Sequence, residues 1–240
     1  MGMRQEYAKY NAQDFEVWNL LFQRQKDNLQ DKACGEYLEC LDLFSSCLNP
    51  NEIPDFSKIN RLFKSHTGWE IHVVPGLIPV KDFLMLLADK KFCSSTWLRS
   101  KDKLDYLEEP DMFHDIFGHI PLLLNPVFSQ YVHDFGRVGS QYIDDEEFVI
   151  QMQRLYWYTI EFGLLRQGED LKIFGAGIIS SYGETNGIFD APINTLDYQI
   201  EKVMQTDFYT DAIQDKYFVA QSLEELFKSI EALQAMKAGR

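Results

Sequence analysis

Glu109-Pro110-Asp111-Met112-Phe113-His114-Asp115-Ile116-Phe117-Gly118-His119 is the stretch on which the reading of this chain turns. It sets two imidazoles five residues apart, with carboxylates on either side. Further along, Leu155-Tyr156-Trp157-Tyr158-Thr159-Ile160-Glu161-Phe162-Gly163 holds one acid in an otherwise aromatic and apolar run. A carboxylate is not cheaply buried unpaired. Its partner is either an arginine, such as Arg99 or Arg154, or a cation shared with the two histidines. Neutral imidazoles plus one carboxylate suit Fe(II), Zn or Mn, and with open positions they are the donors of a facial iron site. On an ideal α-helix, residues five apart stand about 140° from one another. The histidines therefore share an ion only if His119 lies where the helix ends, with Gly118 and Pro121 making the turn. This is not the i, i+4 spacing of zinc-protease helices.

The 240 residues are 45% hydrophobic and 14% aromatic, enough for one large domain with a substantial core. No run of 18 apolar residues offers a membrane span, and the opening residues lack an apolar signal core. A formal charge of −14 repels nucleic acid and anionic membranes and favours solubility. Cys34, Cys40, Cys47 and Cys93 form no C-x-x-C pair. They read as reduced core thiols of a cytoplasmic protein.

Taken in order, the chain is mostly helical. Asp14 is placed to cap a helix with Phe15, Trp18, Leu21 and Phe22 inward. A second helix, carrying Cys34, Leu38 and Leu41, runs to Asn49-Pro50-Asn51, and Ser57 opens a third. Glu70 to Val74 alternates as a short strand. Lys81 to Lys91 reads as a helix, Phe92 to Leu98 as extended, and Ser100 to Asp105 as a surface loop. The His114 helix starts near Pro110-Asp111, and Asn125-Pro126 opens the next. Glu146 to Gln167 is expected to be one long helix stopped by Gly168. Ile173 to Ser181 suggests a strand and turn, and Thr206 to Phe218 is irregular. Ser222-x-x-Glu225 is a capping box for a last helix. That helix is too short for a dimer coil, which predicts a monomer. His66, His72 and His133 read as structural or surface residues.

The same segments carry a resemblance. Glu109-Pro110-Asp111-x-x-His114-Asp115-x-x-Gly118-His119, Tyr156-Trp157-Tyr158-Thr159-x-Glu161-Phe162-Gly163-Leu164 and Gly175-Ala176-Gly177-Ile178-Ile179-Ser180-Ser181-Tyr182-Gly183-Glu184 resemble the pterin-dependent aromatic amino acid hydroxylases. Ile53-Pro54-Asp55-Phe56 and Thr67-Gly68-Trp69 extend the likeness upstream. It covers roughly residues 10 to 225 and is nearest to the short bacterial phenylalanine hydroxylases. The resemblance implies a mainly α fold with small β elements (α+β), with iron in a helical basket. Residues 1–240 are then a single catalytic domain, flexible over 1–10, without a regulatory domain or tetramerising tail. The implied cofactors are Fe(II) and a tetrahydropterin, such as tetrahydrobiopterin, with O₂ as co-substrate. The partners are an aromatic L-amino acid and the reduced pterin. The reaction is ring hydroxylation, phenylalanine to tyrosine, with tryptophan or tyrosine as alternative substrates.

By the same resemblance His114, His119 and Glu161 ligate the iron, and Arg99 takes the substrate carboxylate, oriented by Asp111. Pro110, Trp157, Phe162, Gly177 and Ser180 match the substrate pocket. Phe83 matches the ring that stacks on the pterin, and Gly76, Ile78 and Val80 belong to the segment along its edge. Tyr156 lies on the pterin side, and Glu184 matches an acid behind the site. The chain departs from the family at Asp115, where glutamate usually faces the pterin. Cys93 stands where animal members carry histidine, Leu107 replaces their threonine, and Thr210 falls near a position that discriminates the three substrates. Trp157 favours phenylalanine or tyrosine over tryptophan, because the tryptophan-specific branch carries a smaller ring there. Two other classes use the same residues differently. A zinc hydrolase would take Asp115 as general base, and a non-catalytic helical module would need no metal.

Overall fold

The computed structural model describes residues 2–105, 109–190, 192–210 and 214–238. Caps decide where its helices begin. Helix α1 (Ala12–Leu29) starts after Asn11, whose side chain accepts from the Gln13 and Asp14 amides, while Asp14 accepts from the Asn11 amide. This reciprocal box satisfies donors that no helical turn can reach. The cap is therefore Asn11, and Asp14 is its partner. Val17, Trp18, Leu21, Phe22, Gln25 and Leu29 face inward. Helix α2 (Gly35–Leu43) ends before Pro50, and α3 (Phe56–His66) is capped by Asp55 rather than Ser57.

Strands β1 (Glu70–Val73) and β2 (Lys91–Ser94) pair in parallel, with Glu70 opposite Lys91, through the crossover helix α4 (Val80–Ala88). Helix α4 stops three residues short of the expected Lys91. Beyond β2, one 3₁₀ turn (Lys101–Lys103) interrupts the surface segment. Asn125 caps α5 (Pro126–Gln141), accepting from the Val127 and Phe128 amides with Pro126 in the first turn.

The expected helix from Glu146 to Gln167 is three elements. Helix α6 (Glu146–Tyr156) passes into a π-helical turn (Trp157–Glu161), and the chain then reverses as strand β3 (Leu164–Gln167). Gly168, at φ +65°, makes the hairpin to β4 (Asp170–Ile173) rather than capping a helix. Leu164 pairs with both Ile173 and Val219, so sheet contacts distant in sequence override local helical preference. Helices α7 (Ala176–Ile179) and α8 (Tyr182–Asp190) replace the expected turn. Strand β5 (Thr195–Asp197) and helix α9 (Ile200–Gln205) follow. The segment read as irregular ends in β6 (Tyr217–Ala220), a fully buried strand. The larger sheet runs β4-β3-β6-β5, with β3 and β4 antiparallel and the other pairs parallel.

Helix α10 (Leu223–Ala238) opens at Ser222 as expected, but the returning half of the capping box reaches one residue further back, to Gln221. Ser222 Oγ accepts from the Glu225 amide, and the Glu225 carboxylate accepts from the Gln221 amide. Its buried Leu223, Leu226, Ile230 and Leu233 are part of the core, and the helix packs on α5. Near the start of the chain, Tyr7 donates to Ile53 O, Tyr10 to Thr96 O, and Gln5 bonds Pro54 O and the Phe56 amide. Cys34 and Cys40 are free and buried, and burial raises both thiol pKa values. Among the described residues no helix is long and apolar enough to cross a membrane.

Aromatic rings join α1 to the His114 segment. Trp18 meets Phe113 edge-on at 5.6 Å, Phe22 meets Phe117 at 5.1 Å, and Phe113 stacks on Phe117 at 4.8 Å. Helix α5 approaches α4 backbone to backbone. A Cβ on Gly136 would lie 2.6 Å from Leu87 C and against Ala88 N. Gly136→Ala must push the two helices apart, at a cost of about 1–3 kcal/mol. Urea denaturation should show a lower midpoint with an unchanged slope.

Candidate metal centre and substrate site

His114 and His119 lie in one π-helical turn, His114–His119. Its i→i+5 hydrogen bonds widen the coil, so residues five apart return to the same face. The expected turn at Gly118 is absent. Ile120 keeps helical angles (φ −63°, ψ −42°), and Pro121–Leu124 continues as a 3₁₀ helix. The two Nε2 atoms are 3.0 Å apart.

Glu161 ends the second π-helical turn, where the Phe162 amide reaches back to Trp157 O at 2.8 Å. Thr159 Oγ1 donates to Leu155 O at 2.5 Å, engaging that carbonyl inside the widened turn, and is itself bonded to Tyr131 Oη at 2.9 Å. Glu161 Oε1 lies 3.1 Å from His119 Nε2, and Oε2 lies 3.6 Å from His114 Nε2. One donor atom from each residue falls within 4.8 Å of the others. The arginines considered as its partners are engaged elsewhere, Arg99 on Asp111 and Arg154 on Asp207 and Met204 O.

Burial pushes the His114 pKa down to about 4 against the pull of Glu161. Burial would raise that of Glu161, but the two imidazoles outweigh it and hold the carboxyl at about 2. His114 is thus neutral and Glu161 ionised at neutral pH. His114 Nδ1 lies 2.9 Å from Ser180 Oγ. A proton on Nδ1, donated to Ser180, leaves the Nε2 lone pair facing the carboxylate. Neutral nitrogen, anionic oxygen and a shared focus fit a divalent first-row ion. Helix α7 backs this focus closely. A Cβ on Gly118 would sit 2.9 Å from Ala176 O, and one on Gly177 would sit 3.2 Å from Glu161 Oε2.

On one side of the focus is a salt bridge. Arg99 Nε and Nη2 donate to Asp111 Oδ2 and Oδ1 at 2.9 and 2.8 Å, as a planar fork allows. Asp111 is fully buried and also accepts from the Arg99 and His114 amides at 3.0 and 3.1 Å. Trp157 stacks on Phe208 at 4.6 Å and leans on Phe162 at 4.7 Å, and its Nε1 donates to Gln214. Phe208 and Gln214 carry no periodicity or motif, and the sequence reading missed both. Ser180, expected in the substrate pocket, has its hydroxyl 2.9 Å from His114 Nδ1. Pro110 leads into Asp111, and Thr210 is exposed.

On the other side, His119 lies 4.6 Å from the Phe92 ring, and Phe83 meets Tyr156 edge-on at 5.1 Å. Tyr156 is hydrogen-bonded to Glu161; burial, with that carboxylate, raises its pKa well above the usual phenol range. Gly76 and Ile78 lie in the loop that Val80 closes by opening α4. Asp115 Oδ2 accepts from the Ser95 amide at 2.8 Å, and burial raises this acid to about 8. Burial also raises the Cys93 thiol, with Asp115 and Glu161 adding to it. Glu184 accepts from Tyr217 Oη at 3.2 Å. Leu107 lies outside the described residues.

Asp111→Ala leaves a buried guanidinium unpaired and should cost about 3–5 kcal/mol. Arg99→Met should cost less, because Asp111 keeps its two amide donors. Urea midpoints of the two variants test the order.

The sequence matches the family described as biopterin-dependent aromatic amino acid hydroxylase over residues 1–237. It is 41% identical to a phenylalanine-4-hydroxylase of Ralstonia nicotianae, covering 94% of this chain and 71% of the relative. A Pseudomonas aeruginosa phenylalanine-4-hydroxylase is 39% identical, over 92% and 83%. Among solved structures, Chromobacterium violaceum phenylalanine hydroxylase with bound iron(III) and 7,8-dihydrobiopterin superposes with a TM-score of 0.90 at 38% identity. That match covers 99% of this chain and 86% of the other. With sequence and architecture matched along nearly its whole length, the chain belongs to the biopterin-dependent aromatic amino acid hydroxylase family.

Proposed function

We propose that the protein hydroxylates the ring of L-phenylalanine to give tyrosine, using Fe(II), a tetrahydropterin and O₂. The observation that carries this reading is Asp111, whose Oδ1 takes both Arg99 Nη2 and the His114 amide. One carboxylate thereby links the guanidinium proposed to anchor the substrate carboxylate to the backbone that carries a metal ligand. In this reading His114, His119 and Glu161 hold the iron. Bound there with the reduced pterin, the metal supplies the oxygen chemistry.

The chain's own residues bind, orient and exclude water. Arg99, fixed by Asp111, receives the amino acid's carboxylate. Trp157, Phe162 and Pro110 wall the ring, and Gly177 leaves space beside Glu161. Ser180 holds the His114 tautomer. Phe83, Tyr156 and the Gly76–Val80 segment form the pterin side, and Asp115 presents its remaining oxygen there. Such positioning, in a site closed to water, is what the protein contributes. Helix α10 directs its apolar residues into its own core, which supports action as a monomer.

Purified protein should be given phenylalanine, tyrosine and tryptophan separately, with Fe(II), tetrahydrobiopterin and O₂. Tyrosine formed from phenylalanine, dependent on both iron and pterin, is the expected result. Preferred turnover of tryptophan would show that Trp157 does not discriminate as argued. Hydrolytic activity with zinc and no pterin-dependent product would overturn the proposal. His119→Ala should lose the metal equivalent and the activity together.

A further inference from the structure

Helix α1 sends one polar side chain, Gln25, into the core, where it is 2% exposed among aromatic and aliphatic neighbours. Its Nε2 donates to Ile179 O at 2.7 Å and to Thr185 Oγ1 at 2.8 Å, with Ser181 O at 3.4 Å. Thr185 is fully buried and passes its own proton to Ile178 O at 2.7 Å. Residues 179 and 181 flank Ser180, so a single amide from another helix grips the backbone on both sides of the residue bonded to His114. Gln25 Oε1 has no partner among the described residues. A half-satisfied buried amide adds little to stability, so its effect lies in geometry.

We propose that Gln25 is a positioning residue of the metal centre. Through Ile179, Ser181 and Thr185 it fixes Ser180 Oγ on His114 Nδ1, and so sets the orientation of that imidazole. The inference rests on the proposed role of His114, His119 and Glu161 as metal ligands. Nothing in the sequence marks Gln25, because it lies outside every motif and reads as the polar gap in an amphipathic helix. Its link to the site exists only where α1 meets the junction of α7 and α8.

Cobalt(II) is the probe, read by its binding affinity and its visible absorption spectrum in the 240-residue chain. Gln25→Met should weaken Co(II) binding about tenfold, the lower end of the range for groups that orient metal ligands, and should alter the spectrum. Thr185→Val, nearly isosteric, should act in the same direction and carries the test if Gln25→Met fails to fold. In a Ser180→Ala background either substitution should change the affinity by no more than about twofold, because the route to His114 is already cut. Ile59→Val, buried in α3, should lower the urea midpoint and leave Co(II) binding unchanged. Wild-type affinity and spectrum in both Gln25→Met and Thr185→Val overturn the inference, as does an effect that persists in full without Ser180. A wild-type chain that binds no Co(II) overturns the ligand assignment, and this inference with it.

Discussion

Two imidazoles five residues apart diverge on an α-helix, and the site needs them to converge. The π-helical turn resolves the conflict, since an i→i+5 bond brings the fifth residue round to the face of the first. Glu161 is presented the same way, from a second π-helical turn at the end of α6. Much of the surrounding structure serves these two widened turns. Phe113 and Phe117 point from the first into α1, Tyr37 Oη holds Phe117 O at 2.7 Å, and Thr159 steadies the second. Helix α7 closes behind both, which is why glycines stand where a Cβ would meet Ala176 O or Glu161.

Charge is arranged with the same economy. The ionised Glu161 faces two imidazoles, and Asp111 shares its two oxygens among a guanidinium and two backbone amides. Asp115, buried nearby with one backbone donor on Oδ2, is the acid whose protonation burial favours. Glu161 and Asp115 thus differ in state because their partners differ: burial would raise both, and only Glu161 has imidazoles to offset it.

Much of this was legible in the sequence, for reasons that can be traced to particular residues. The histidines, Asp111 and Glu161 sit in long ordered motifs, Arg99 came from the family likeness alone, and the elements around them carry strong signals: Asn125-Pro126, Ser222-x-x-Glu225, and the alternation of Glu70 to Val74. Reading failed where non-local contacts outweigh local preference. Leu164 to Gln167 continues a helical pattern, yet pairs with β4 and β6 instead. The π-helical turns were also invisible, because no propensity distinguishes an i→i+5 turn from an i→i+4 one. Spacing showed that an α-helix could not satisfy both histidines, and the remedy inferred from glycine and proline was the wrong one. Phe208 and Gln214 reach Trp157 from a segment without periodicity, so no rule pointed to them.

The features that make this site are individually poor choices for stability. Widened turns give up regular helical hydrogen bonding, a buried salt bridge rarely recovers its desolvation cost, and a buried acid without a cation is worse. They coexist because the His114 turn and the Arg99–Asp111 pair are backed by packed aromatic rings. Trp18, Phe22, Phe113 and Phe117 form one connected set of rings beneath the His114 turn, all at most 2% exposed. The unfavourable local geometry is thereby held in place, and α1, which carries none of the motif residues, becomes as much a part of the site as the histidines it supports.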